Sequence, residues 1–168
     1  MNDLLTWTKG GMTFRIRPAT EDDLPAVDAI ADRAWETIYQ GFSEVLGDMF
    51  PMFYHPHEDK AAQIRYAFRN ECLYLTETDG RPVGFISFAV DATREIATLG
   101  NNAVDPAYAG RGIGTRQYEV AFAEMKRRGA RAVRVTTGTD DAHAPARAAY
   151  IKAGFSEHLD SITYYKKL

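Results

Sequence analysis

The sequence has one cysteine, Cys72, and two tryptophans in 168 residues, with no internal repeat and no low-complexity tract. A lone cysteine excludes an internal disulfide and a Cys-rich metal site, and Cys72 reads as a small core residue entering a strand. Long apolar runs are absent too. The most apolar uncharged stretch, Val83 to Val90, is far shorter than the roughly 20 residues that a membrane-spanning helix requires. Neither sign of charge dominates: 20 Lys and Arg stand against 23 Asp and Glu, a net charge of −3. That balance excludes the broad positive field of a general nucleic-acid binder. Met1 to Lys9 lack a basic-then-apolar leader pattern, so the cytoplasm is the expected compartment. What remains is 45% hydrophobic, 26% charged and 12% aromatic, the composition of a globular chain whose core needs no staple. Residues 1–168 are therefore expected to form a single domain.

Residues 1–12 carry Gly10-Gly11 and no periodic pattern, and read as a loose lead-in. Thr13 to Arg17 alternate as a short strand that stops at Pro18. Thr20 stands three residues before Asp23, a capping-box start. Leu24, Val27, Ile30, Ala31, Ala34 and Ile38 then follow helical spacing over 21–39, with Gly41 as the expected stop. Residues 42–56, rich in aromatics, read as a packed loop, and 57–69 as a second helix. Leu73 to Thr78 and Arg81 to Val90 flank Asp79-Gly80, a two-residue hairpin signal. A third strand runs from Ile96 to Val104, and a helix follows Gly110 to Gly114 with Tyr118, Ala121, Phe122 and Met125 facing inward. Ala132 to Thr137 read as a strand, Pro145 to Ala153 as a helix, and Ile162 to Lys166 as a last strand. The expected order is β-α-α-β-β-β-α-β-α-β, an α+β domain with a mixed, mostly antiparallel sheet and four helices.

The sharpest feature is Val104-Asp105-Pro106-Ala107-Tyr108-Ala109-Gly110-Arg111-Gly112-Ile113-Gly114-Thr115, a strand passing through a glycine-rich turn into a helix. Three glycines in five residues let backbone approach a ligand closely, and the helix start offers free N–H groups backed by the dipole, which suits phosphate. Thr115-Arg116 replaces the Lys-Ser/Thr of a P-loop, and the G-x-G-x-G spacing departs from a dinucleotide fingerprint. Some 30 residues later comes Ala146-Arg147-Ala148-Ala149-Tyr150-Ile151-Lys152-Ala153-Gly154-Phe155.

Together the two segments resemble the GNAT superfamily of acetyl-CoA-dependent N-acetyltransferases, and the resemblance extends over about residues 14–168. It implies a GNAT-like sheet, acetyl-CoA as co-substrate, no metal, and direct transfer to a primary amine of a small molecule or peptide. It also implies that Asn102 and Val104, at the splayed end of the third strand, meet the pantetheine arm. Gly110, Arg111, Gly112, Ile113, Gly114 and Thr115 would hold the pyrophosphate, with His143 as a further cofactor contact. Two positions depart from the family pattern. Ala109 stands where the family has Arg or Gln, which implies weakened cofactor binding, and His143 stands for its Asn. Relatives commonly dimerise, so a homodimer is one expectation; a nucleic-acid or membrane partner is not expected.

The chemistry needs an acid and a base. A departing CoA thiolate, comparable to a cysteine of pKa about 8.5, needs a donor, and a phenol of pKa about 10 can serve. Tyr150 is the expected catalytic donor. Relatives place a glutamate where Thr98 stands, and Glu36, Asp91 and Glu95 each read more simply as solvated acids than as the base. Trp35 and Tyr39 are expected to bind the acceptor amine, with Phe42, Phe53 and Tyr54 as further walls. His55-Pro56-His57 makes a poor metal set. The rival functions are a non-catalytic acyl-CoA-binding or regulatory module on the same fold, and a protein N-terminal or lysine acetyltransferase.

Overall fold

The spatial order of the strands repeats their order in the chain. The computed structural model describes residues 3–168, and within them six strands line up as β1-β2-β3-β4-β5-β6. These are β1 (Leu5–Lys9), β2 (Met12–Pro18), β3 (Leu73–Thr78), β4 (Arg81–Asp91), β5 (Ile96–Val104) and β6 (Ala132–Arg134). Neighbours are antiparallel from β1 to β5, and β5 and β6 are parallel. The helices are α1 (Leu24–Leu46), α2 (Phe50–Phe53), α3 (Pro56–Arg69), α4 (Ile113–Arg127) and α5 (Ala144–Lys152). The fold is the expected α+β one, with helices on both faces of the sheet. Asn101 hydrogen-bonds residues of α3, and the next residue, Asn102, bonds Gln117 of α4. Successive strand side chains point to opposite faces, so α3 and α4 lie on opposite faces. Arg65 and Asp28 tie α3 to α1 side by side.

Burial follows from this sandwiching. All six residues of β3 are buried, and Ile16, Val27, Ile64, Leu75, Phe85 and Ile86 are fully enclosed. The enclosed region also takes in charge. Arg17 donates to both oxygens of Asp23 at 2.7 and 2.9 Å and to Glu77 Oε2 at 2.7 Å, which binds β2 to β3 and to the turn before α1. Asp23 in turn accepts from the Thr20 amide at 2.7 Å and hydroxyl at 2.8 Å, completing the capping box.

Five expectations change. Residues 1–12 are not a loose lead-in: Leu5–Lys9 pair with Met12–Pro18 across Gly10 (φ 61°) and Gly11 (φ 76°), a turn whose two positive φ values suit a two-residue hairpin. Residues 1 and 2 lie outside the described range. Gly41 does not stop α1, because burial of Leu46 carries the helix on to Gly47, whose φ of 55° ends it. The expected loop 42–56 is therefore the end of α1, a short α2 and the start of α3. The strand expected over Ala132 to Thr137 pairs only through Arg134. Ile162 to Lys166 form no strand: Tyr165 turns instead to Phe53 and Tyr54, at ring separations of 5.0 and 6.4 Å, and side-chain packing replaces ladder bonds.

Candidate functional site

The site begins as an irregularity in β5. Ile86 pairs with Asn102 but Phe88 with Leu99, so Gly100 and Asn101 together oppose Ser87. Such a bulge bends its strand and leaves ladder groups to find other partners. The Ser87 hydroxyl supplies one, accepting from the Asn101 amide at 2.8 Å. Glycine at position 100 is required by this closeness, since a Cβ there would fall 2.6 Å from Ser87 Oγ. On its other side β5 pairs with β6 only at Ile96, Ala97 and Thr98. From Leu99 to Val104 that edge has no strand partner among the described residues.

The chain then turns toward α4. Asp105 accepts from the Ala107 amide at 3.0 Å, and Arg33 of α1 reaches Asp105 at 2.9 Å, which fixes the departure from β5. Gly110 (φ 73°) and Gly112 (φ 78°) take left-handed conformations that favour glycine. Gly112 is the N-cap of α4 and no side chain caps the helix. The first intrahelical bond is Arg116 N–H to Gly112 C=O at 3.2 Å, so the amides of Ile113, Gly114 and Thr115 have no partner within the helix. These three donors and the positive end of the helix dipole form an anion cradle.

The expected cofactor residues divide by what their side chains do. Asn102 is committed to Gln117, which donates in turn to Thr76 at 2.9 Å. Val104 and Ile113 pack with Phe14 and Val83 in a small apolar cluster. At these positions the side chains are engaged and only backbone is left open to a ligand. Arg111 is half-buried over the Tyr108 ring, 5.5 Å from its centroid, and Thr115 is exposed. His143 opens α5, bonded to Asp140 at 2.7 Å and stacked on Phe42 of α1 at 6.3 Å.

Tyr150 lies on α5 against Tyr118 of α4, 6.2 Å between ring centroids, and Phe155, at 5.8 Å. Burial pushes the phenol above its usual value of 10.0, so it stays protonated. Its hydroxyl has no hydrogen-bond partner among the described residues. Tyr39 joins Phe42, Phe50 and Tyr54 in an aromatic cluster. Trp35, one turn earlier on α1, stands apart from that cluster under the Lys60 ammonium of α3. An open pocket of about 410 Å³ lies between α3 and the bulge, bordered by Gln63, Tyr66, Ser87, Thr98, Gly100 and Asn101, and neither Trp35 nor Tyr39 lines it. None of the carboxylates considered as base borders it. Asp91 and Glu95 flank the β4–β5 turn, Glu95 pairing with Arg131 at 3.2 Å, and Glu36 is exposed on α1.

Lys9 escaped the sequence reading because its strand did. From β1 its Nζ donates to the Gly110 carbonyl at 3.3 Å and lies 3.9 Å from where a Cβ of residue 112 would be. Gly10-Gly11 between two alternating stretches was the overlooked signal. No cluster of three or more metal-ligating side chains occurs among the described residues.

A free strand edge thus leads through a glycine turn into an uncapped helix, a continuous run of backbone groups unpaired among the described residues. The family model described as acetyltransferase (GNAT) family matches residues 35–155, and the chain belongs to that family. It is 30% identical over 156 residues to an uncharacterised N-acetyltransferase of Methanocaldococcus jannaschii, a match covering 86% of this chain and 62% of that protein. The chain thus spans less than two thirds of that relative's length. Among solved structures it resembles the PaiA N-acetyltransferase of Thermoplasma acidophilum in complex with coenzyme A, with 23% identity, TM-score 0.67, 88% of this chain and 92% of that one. It also resembles an aminoglycoside N-acetyltransferase in complex with CoA, with 17% identity, TM-score 0.66, 96% of this chain and all of the other.

Proposed function

We propose that the chain is an N-acetyltransferase that moves acetyl from acetyl-CoA directly to a primary amine of a small molecule or peptide, in a ternary complex. The observation that carries this reading is the free edge of β5 from Leu99 to Val104, continuous with the uncapped start of α4. The pantetheine arm would lie along that edge as a strand lies beside its neighbour, and the amides of Ile113, Gly114 and Thr115 would hold the pyrophosphate. The half-buried Tyr150 would protonate the departing sulfur. Trp35, Tyr39 and the pocket at the bulge would receive the amine. On this reading the chain works in the cytoplasm, needs no metal, and acts as one domain built on its continuous core.

Three expected results test donor binding. Acetyl-CoA at a hundredfold excess over its dissociation constant should stabilise the fold by about 2.7 kcal/mol, or roughly 5–11 °C in Tm for a chain of this size. Gly112→Val should abolish that shift in a thermal melt, because a branched residue at φ 78° is strained and its side chain fills the cradle. A Tm that ignores millimolar acetyl-CoA overturns the reading. Lys9→Ala should weaken CoA roughly tenfold by calorimetry, with the loss shrinking as salt is raised, as expected for a cation that stands in for the missing side chain at Ala109. An unchanged affinity would remove Lys9 from the site. Release of free thiol from acetyl-CoA in the presence of an amine panel separates an enzyme from a module that only binds the donor.

A further inference from the structure

Tyr150 would serve the departing sulfur, but the acceptor's proton also needs a destination. A protonated amine cannot attack a thioester, so a proton must leave its nitrogen first. The carboxylates do not reach the bulge, and Thr98 does not titrate in this range. One titratable side chain does reach it. Lys60 Nζ lies 3.0 Å from the Asn101 Oδ1 atom, and Asn101 is itself held by Gln63 at 3.0 Å and, through its amide, by Ser87 at 2.8 Å. The ammonium position is fixed from the other side by the Trp35 ring, 4.2 Å from Nζ to the centroid. Lys60 thus bridges α1, α3 and the bulged strand, and its partner Asn101 borders the pocket.

We propose that the neutral amine of Lys60 is the base that takes a proton from the acceptor amine at the β5 bulge. This rests on the acetyl-transfer reading. The acceptor ammonium passes one proton to Nζ, leaving a neutral amine and a Lys60 ammonium. The acceptor nitrogen then attacks the thioester carbon, the C–S bond breaks, and the second nitrogen proton ends on the CoA sulfur, delivered through the Tyr150 hydroxyl. Lys60 returns its proton to solvent.

The surroundings of Lys60 suit a base better than a structural cation. No carboxylate lies within ion-pair distance of it among the described residues, and of three possible donors Asn101 uses one. Burial lowers its pKa from 10.5 to about 8, against the opposing pull of Asp59 on the same helix. From α1 it faces the Trp35 ring and from β5 the Asn101 amide oxygen, uncharged groups that favour the ammonium less than a carboxylate would. The neighbouring charges Asp32 and His57 are engaged with each other at 3.0 Å. An amine of this basicity matches an α-amino group, whose pKa is about 7.7–8.0, so proton transfer between them is nearly level.

The test uses thiol release from acetyl-CoA with whichever of butylamine, benzylamine and cadaverine turns over fastest, acceptors more basic than Lys60, so that a limb near 8 belongs to the enzyme. In the wild type kcat/KM should rise with pH through an apparent pKa near 8, since the base acts when neutral. Lys60→Met should lower kcat by about 10²-fold or more and lose that limb, with Tm and CoA affinity unchanged. Lys60→Arg keeps the cation but cannot shed a proton, so it should be as impaired as Lys60→Met. Trimethylamine, a base that forms no stable amide, should restore part of the Lys60→Met rate. Full activity in Lys60→Arg, or a pH limb that survives in Lys60→Met, overturns the assignment while leaving the transferase reading intact. A wild type that binds acetyl-CoA yet acetylates none of the three amines overturns both.

Discussion

Tyr150→Phe should lower kcat by about 10²–10⁴-fold, the loss typical of removing a positioned acid. The substitution deletes one oxygen and keeps the ring between Tyr118 and Phe155, so acetyl-CoA affinity and Tm should hold. An interaction made chiefly in the transition state lowers kcat and kcat/KM together, which steady-state rates at saturating acetyl-CoA would reveal. The deficit should narrow with an acyl donor whose thiol is more acidic, because a better leaving group needs less help. The phenol is available for this work because it is protonated at neutral pH, and because its oxygen is not engaged with another described residue. A Tyr150→Phe enzyme with more than half the wild-type rate would make Tyr150 a packing residue.

Arg17→Met should cost about 3–5 kcal/mol, which for a domain of this size is roughly 6–20 °C in Tm. Arg17 is 7% exposed and joins two buried acids, Asp23 at 9% and Glu77 at 1%. Glu77 keeps its pairing with Arg15, but Asp23 is left without an ion-pair partner, and that unpaired buried charge accounts for the cost. Removing the exposed Arg116–Glu119 pair should change stability by no more than about 1 kcal/mol, which makes it the control. The same network sets an acid limit. Burial works against ionised Asp23, but hydrogen bonds from Arg17 and Thr20 override it and hold the carboxyl down from 3.8 to about 2. A depressed carboxyl stabilises the fold above its unfolded pKa, and that contribution disappears as pH falls through the folded one. Chemical denaturation between pH 4 and 2 should therefore show a steep loss in the wild type and a shallower one in Arg17→Met.

Much of this architecture was legible because local signals and tertiary packing agree. Asp79-Gly80 marked its hairpin, and the inward face of α4 followed helical spacing, with Tyr118, Ala121 and Met125 all buried. The sequence misled where one overruled the other. Gly41 carries a stop signal that the packing of the helix beyond it, ending in buried Leu46, overrides, while Ile162 to Lys166 have the alternation of a strand without the ladder. The glycine turn and Tyr150 could be picked out because each lies in a contiguous motif. Lys60 could not. Nothing local separates it from any lysine on a polar helix face, and its character comes from Trp35 and Asn101, 25 residues before it and 41 after it in the chain. Lys9 was hidden for a similar reason, being brought to Gly110 across 101 residues of sequence.

The parting of β5 from β6 also bears on solubility. A strand edge with unmatched amides and carbonyls is a template for any passing chain, and proteins shield such edges or suffer association. Here the edge from Leu99 to Val104 cannot be shortened or charged without spoiling the place proposed above for the donor. The protein therefore carries an adhesive seam whenever it is empty, and a tenant along that edge would act as its own chaperone. Material purified and stored with coenzyme A would remain monodisperse at concentrations where the empty protein begins to associate.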